Sequence, residues 1–103
     1  MAINIFIVKE DLITTLVDCG GITIDDDFYY FHKVVNELSL PFTSTIDHAG
    51  VIVINPLQLK PLQEEINLLR LRHDINPEIL DNIQDALNTV RPQERQYIKF
   101  MGD

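Results

Sequence analysis

The sequence predicts a mixed α+β fold: a single small domain over residues 1–103, with one sheet of roughly three to five strands packed by about four helices. Three observations carry this. The 103 residues, 46% apolar and 23% charged, match one ordinary globular domain and leave no core for a second. Ile3–Val8 and Val51–Ile54 are short runs dense in β-branched residues, which suit strands. The segments after Asp25 and after Asn76 each open on a capping residue and an acid, then repeat apolar side chains at spacings of three and four, as amphipathic helices do.

Taken in order, Ile3–Val8 reads as a central strand covered on both faces. Glu10–Asp18 places Leu12, Ile13, Leu16 and Val17 at helical spacing, with Gly20-Gly21 able to end a brief helix in the left-handed conformation. Ile22–Ile24 is an edge strand or an extended lead into Asp25-Asp26-Asp27. Asp25 caps the next helix and the following two acids suit its positive end, so the helix runs from Asp26 to about Leu38 and stops before Pro41. It buries Phe28, Phe31, Val35 and Leu38 and turns Tyr30, Lys33 and Glu37 to water, while Tyr29 is compatible with either side.

Phe42–Ile46, a turn at Asp47–Gly50 and Val51–Ile54 together predict a β-hairpin. Leu57–Lys60 forms a lead-in turn to a helix that begins around Pro61 and lines up Leu62, Ile66 and Leu69, with Leu68 and Leu71 widening the stripe. Asn76-Pro77-Glu78 starts the last helix, which carries Ile79, Leu80, Ile83, Ala86, Leu87 and Val90 and ends at Arg91-Pro92. Gln96–Met101 is a final strand. The alternative is a mostly helical fold whose only sheet is the hairpin.

Net charge is −8, and it is unevenly distributed. Residues 1–50 hold eight acids and two bases; residues 51–103 hold eight acids and six bases. Between Glu10 and Asp27 there are six acids and no Lys or Arg. Such a surface repels nucleic acid and anionic lipid, whose binding depends on basic residues displacing counterions, and favours a basic partner. No run approaches the roughly 20 apolar residues of a membrane span, and the first apolar run lacks the basic lead of a secretory signal, which points to the cytoplasm. Cys19 is the only cysteine, so no internal disulfide or multi-cysteine zinc site forms.

Catalytic chemistry is not expected. Gly20-Gly21 lacks the glycine spacing of a phosphate loop, no Gly-x-Ser-x-Gly elbow is present, and acidic neighbours dull Cys19 as a nucleophile. Asp25-Asp26-Asp27 lacks the alternating ligands and glycine of a calcium loop. His32 reads as a half-buried structural histidine, and the adjacent pairs Asp47-His48 and His73-Asp74 as diverging neighbours. No catalytic residue, metal ligand or cofactor is therefore assigned.

What remains is a binding surface. Asp25, Asp26 and Asp27 can stand in for phosphates against a cationic site, Glu10, Asp11, Asp18 and Asp47 widen the field, and Tyr30 supplies anchoring area. In size, acidity and α/β character, and in the segment Asp25-Asp26-Asp27-Phe28-Tyr29-Tyr30, the chain resembles small immunity proteins of bacterial toxin–immunity pairs, particularly of contact-dependent growth inhibition systems. The resemblance implies a non-enzymatic protein that neutralises a cognate basic toxin domain, a nuclease, and a ribonuclease ahead of a deoxyribonuclease. It implies no direct contact with nucleic acid or membrane, and a monomer or weak dimer in the absence of the toxin. The competing expectation is a regulatory or structural protein that self-associates through the helices at Leu62–Leu71 and Ile79–Val90.

Overall fold

A computed structural model describes residues 1–102. Strands β1 (Ala2–Val8), β2 (Thr15–Thr23), β3 (Val51–Ile54) and β4 (Tyr97–Gly102) form one antiparallel sheet in the order β2-β1-β4-β3. Helices α1 (Asp26–Glu37), α2 (Leu59–Leu69) and α3 (Pro77–Thr89) complete a mixed α+β domain, with short 3₁₀ turns at Thr43–Thr45, Pro56–Gln58 and Pro92–Glu94. The helices number three, one fewer than the sequence predicts, because the segment after β1 is not helical.

Period-two alternation explains the layering. Ile3, Ile5 and Ile7 of β1 and Ile98 and Phe100 of β4 are buried, while Asn4, Phe6, Lys99 and Met101 between them are only half-buried. The buried set forms one cluster with Phe28, Phe31 and Val35 of α1, Leu62, Ile66 and Leu69 of α2, and Ile79, Leu80 and Ile83 of α3. The helices thus share one face of the sheet, and the mostly helical alternative is set aside.

Two expectations are overturned. Glu10–Asp18 is a turn and a strand, not a helix. The Asp11 carboxylate accepts the Ile13 and Thr14 amides at 2.9 Å each and the Thr14 hydroxyl at 2.6 Å, and Leu12 sits at φ 65°. These bonds offer the backbone an alternative to the helix, and Thr15 onward then pairs with β1. Gly20-Gly21 accordingly ends no helix. Gly20, at φ +81°, lies in a bulge where Cys19 and Gly20 together oppose Ile5, and a Cβ on Gly21 would meet the Ile3 carbonyl oxygen at 2.9 Å.

The Phe42–Ile54 hairpin is also absent. β3 exists, but it pairs with β4. Phe42 and Thr43 are held elsewhere by the buried Glu65 carboxylate of α2, which accepts the Phe42 amide at 3.1 Å, the Thr43 amide at 2.8 Å and the Thr43 hydroxyl at 2.7 Å. Amides spent on Glu65 are not available to a ladder.

Candidate functional site

The starts of α1 and α3 lie side by side. Asp25 accepts the Phe28 amide at 3.0 Å, and Asn76 accepts the Glu78 amide at 3.0 Å, so each helix is capped by its own sequence signal. The Asn76 side chain then donates from Nδ2 to Asp27 at 2.9 Å, joining the two caps. Asn82, one turn along α3, donates to the Gly21 carbonyl at 3.1 Å and fixes α3 against β2. The cavity between these elements, lined by Thr23, Asp25, Asn76 and Glu78 among others, measures ≈ 60 Å³, far below the roughly 300 Å³ of a small-molecule site. That cavity is too small to enclose an ordinary small-molecule ligand.

Two tyrosines flank it. Tyr30 donates its hydroxyl to Asp74, which Arg72 also grips with two bonds at 3.0 and 2.7 Å. The bonds from Arg72 and Tyr30 hold the Asp74 carboxyl well below the usual carboxylate range, and the bond to Asp74 raises the Tyr30 phenol because ionisation would break it. Tyr29 is 52% exposed, and its ring meets His48 edge-on with centroids 6.3 Å apart. The structure therefore places Tyr29 at the surface. His48 and Asp47 meet at 2.9 Å, where the sequence predicts diverging neighbours. Asp47 thus joins the α1 end through His48 and Tyr29.

The other acids lie elsewhere. Glu10 and Asp11 occupy the β1–β2 turn, and Asp25 follows the far end of β2, so about 26 Å of strand separates them at ~3.3 Å per residue. Glu10 is paired with Arg95 at 3.5 Å. Asp11 is committed to its turn, and the bonds from Thr14 and Ile13 hold its carboxyl down to about 2. Asp18 sits midway along β2 and accepts the Gly20 amide at 2.8 Å. The lysine and arginine missing from residues 10–27 are partly returned by the C-terminal half: besides Arg95, Lys99 reaches the Leu12 carbonyl at 3.2 Å.

The eight acidic and aromatic candidates thus form no single field. Asp25, Asp26, Asp27 and Tyr30 are together, Asp47 connects to them through His48 and Tyr29, and the fold adds Tyr29, Asp74, Asn76 and Glu78, which the sequence does not assign to a surface. The signal was present in Asn76-Pro77-Glu78, but it identified a helix start and not its neighbour. Among the described residues, no Lys or Arg forms an ion pair with Asp25, Asp26, Asp27 or Glu78.

The remaining titratable groups are dispersed. His32 is half-buried, stacked on Phe28 with centroids 6.0 Å apart, and its Nδ1 is buried without a hydrogen-bond partner among the described residues. Burial, then Asp18 and Asp85, pushes the Cys19 thiol up. Among the described residues, no three His, Cys, Asp or Glu side chains are grouped to hold a metal ion, and no helix is long and apolar enough to cross a membrane. On α2, Leu62, Ile66 and Leu69 are spent on the core, leaving Leu68 exposed, as is Leu71 just past the helix. No protein-family model matches the chain, and comparisons with curated proteins and with solved structures find no match.

Proposed function

We propose that the protein is a cytoplasmic, non-enzymatic immunity protein that binds and neutralises a basic toxin domain, a nuclease, with the paired starts of α1 and α3. The observation that supports this most is the set of carboxylates at Asp25, Asp26, Asp27 and Glu78, which the fold brings together and which have no basic partner among the described residues. Asp25 and Asp27 each accept one internal bond, yet a carboxylate has about four acceptor sites, so both still have room for lysine or arginine donors. Tyr29 and Tyr30 lie on the following turn, where aromatic area can anchor a contact whose rim is charged.

The test is isothermal titration calorimetry against a basic nuclease domain of the proposed class, taken from an adjacent reading frame if one there encodes such a domain. Asp26→Asn with Glu78→Gln removes two charges whose side chains bond to none of the described residues, and both caps, which use Asp25 and Asn76, survive. Close interfacial charge pairs couple by about 1.5 kcal/mol or more, so affinity is expected to fall about tenfold per carboxylate. An unchanged affinity excludes this end as the interface.

A further inference from the structure

The two edges of the sheet are built differently. The β2 edge is blunted: two register shifts interrupt it, the Gly20 amide is taken by Asp18, the Gly21 carbonyl is taken by Asn82, and Asp18 itself sits on the strand. The β3 edge has none of these devices. Its sequence is Val51-Ile52-Val53-Ile54, in an unbroken register with β4.

The Gly102 amide donates to the Gly50 carbonyl at 2.9 Å, so Gly50 belongs to a bonded pair with β4. Bonded and non-bonded pairs alternate in an antiparallel ladder, so Ile52 and Ile54 also bond to β4, and Val51 and Val53 aim their N–H and C=O groups away from it. Those outward groups make no hydrogen bond to any described residue. Val51 is 54% exposed, and Leu57, just past the strand, is 88% exposed.

We propose that this edge docks a second copy of the same chain, with the two β3 strands antiparallel and the two four-stranded sheets joined into one. The register is self-complementary: Val51 bonds with Val53 of the second copy, Val53 with its Val51, and Ile52 faces its own equivalent across the two-fold axis. Every opposed side chain is β-branched and apolar. Charge selects a second copy over a basic partner. Residues 49–59 form an eleven-residue run without a single charge in a chain of net −8, and the nearest charges, Asp47 and Lys60, fall beyond the paired strands. A basic partner is drawn to the carboxylates at α1 and α3. Two acidic copies meet with least repulsion along β3, whereas pairing at β2 would bring Asp18 toward its own equivalent. A four-residue edge is small against the roughly 1,200 Å² of a standard interface, so the dimer is weak and concentration-dependent, and screening salt strengthens it.

Sedimentation equilibrium over about two decades of concentration, up to about 1 mM, tests this, because weak interfaces populate only at such levels. The wild type is expected to pass from monomer to dimer, more readily in added salt. Val51→Pro removes an outward N–H that β4 does not use, at the first position of a strand, where proline is tolerated. It is expected to raise the dimer dissociation constant about tenfold, as two intermolecular bonds are lost, with the thermal unfolding midpoint unchanged. Should Val51→Pro impair folding, Ile52→Cys in a Cys19→Ser background decides the matter. Cα atoms in a facing non-bonded pair are about 4.5 Å apart, within disulfide range, so mild oxidation is expected to give a covalent dimer, and Leu16→Cys on β2 is expected not to. A monomer at every concentration overturns the proposal, as does a dimer that survives a folded Val51→Pro or cross-links through Leu16 instead of Ile52.

Discussion

Glu65 is the side chain on which the path from α1 to β3 depends, and its removal has a calculable cost. Only 6% exposed, its carboxylate accepts three hydrogen bonds from Phe42 and Thr43, and Thr43 is itself fully buried. Glu65→Ala deletes the acceptor and leaves two amides and a hydroxyl unsatisfied. Each buried unsatisfied group costs about 1–3 kcal/mol, and partial hydration through the gap left behind relieves some of that, so a loss of about 3–5 kcal/mol is expected. That is a large part of the roughly 5–15 kcal/mol that holds a domain of this size folded. Glu65→Gln keeps one acceptor oxygen, placed to serve the Thr43 amide and hydroxyl, and gives up the Phe42 bond and the charge assistance, for about 1–2 kcal/mol. Urea unfolding followed by circular dichroism measures both, with the slope checked for constancy so that midpoints report stability. If the two variants lose the same amount, or if alanine costs less than about 1 kcal/mol, Glu65 is not the fastener of this loop.

Two other substitutions probe the turn and the helix starts. Asn76→Ala removes both the α3 cap and the bond to Asp27, and is expected to cost about 1–2 kcal/mol in urea unfolding, with Asn76→Ser recovering the cap alone. Asp11 is held down to about 2 in the folded chain against an ordinary 3.8, so its contribution is fully present above the unfolded value and is lost as pH falls toward about 2. Asp11→Ala is therefore expected to be less stable than the wild type near neutral pH, with the difference shrinking as pH falls from about 3.8 through about 2, as read by urea midpoints across that range.

What the sequence discloses and what it conceals follow from the range of the interactions. Asp25 and Asn76 cap through bonds to amides three and two residues away, so α1 and α3 are legible to within a residue. β4 and β1 are legible because alternation or continuous burial suffices. β2 is not, because Leu12, Ile13, Leu16 and Val17 fit a helical stripe equally well, and the decision rests on Asp11 closing a turn and on pairing with β1. The segment Phe42–Ile46 is misread for a similar reason: its partner, Glu65, is 22 or 23 residues away on a helix whose register predicts nothing about loops. The candidate site divides in the same way. The triplet at Asp25 is legible as a charged helix start, but the bonds that bring Asn76 to Asp27 and Asp74 to Tyr30 span 49 and 44 residues.

The distribution of basic residues, more than the acid count, separates the two proposed surfaces. Of the eight Lys and Arg side chains, Arg95 and Lys99 go to the β1–β2 turn, Arg72 to Asp74, Arg70 to Asp81, Arg91 to Glu94 and Lys33 to Glu37. Among the described residues none reaches Asp25, Asp26, Asp27 or Glu78, where the positive ends of two helix dipoles, with single bonds from the Phe28 amide to Asp25 and from Asn76 to Asp27, supply the compensation. That compensation makes the carboxylates tolerable in the isolated chain and leaves them able to accept donors from outside. The β3 edge is the reverse case, with no charge to compensate and with outward backbone groups of Val51 and Val53 unpaired among the described residues. Because β2 and β3 are opposite margins of the sheet, and α3 is fixed to the β2 side by Asn82, a copy docked on β3 extends the sheet away from α3. A basic partner at the helix starts and a second copy at β3 then respond oppositely to ionic strength, since salt screens the attraction at one surface and the repulsion at the other.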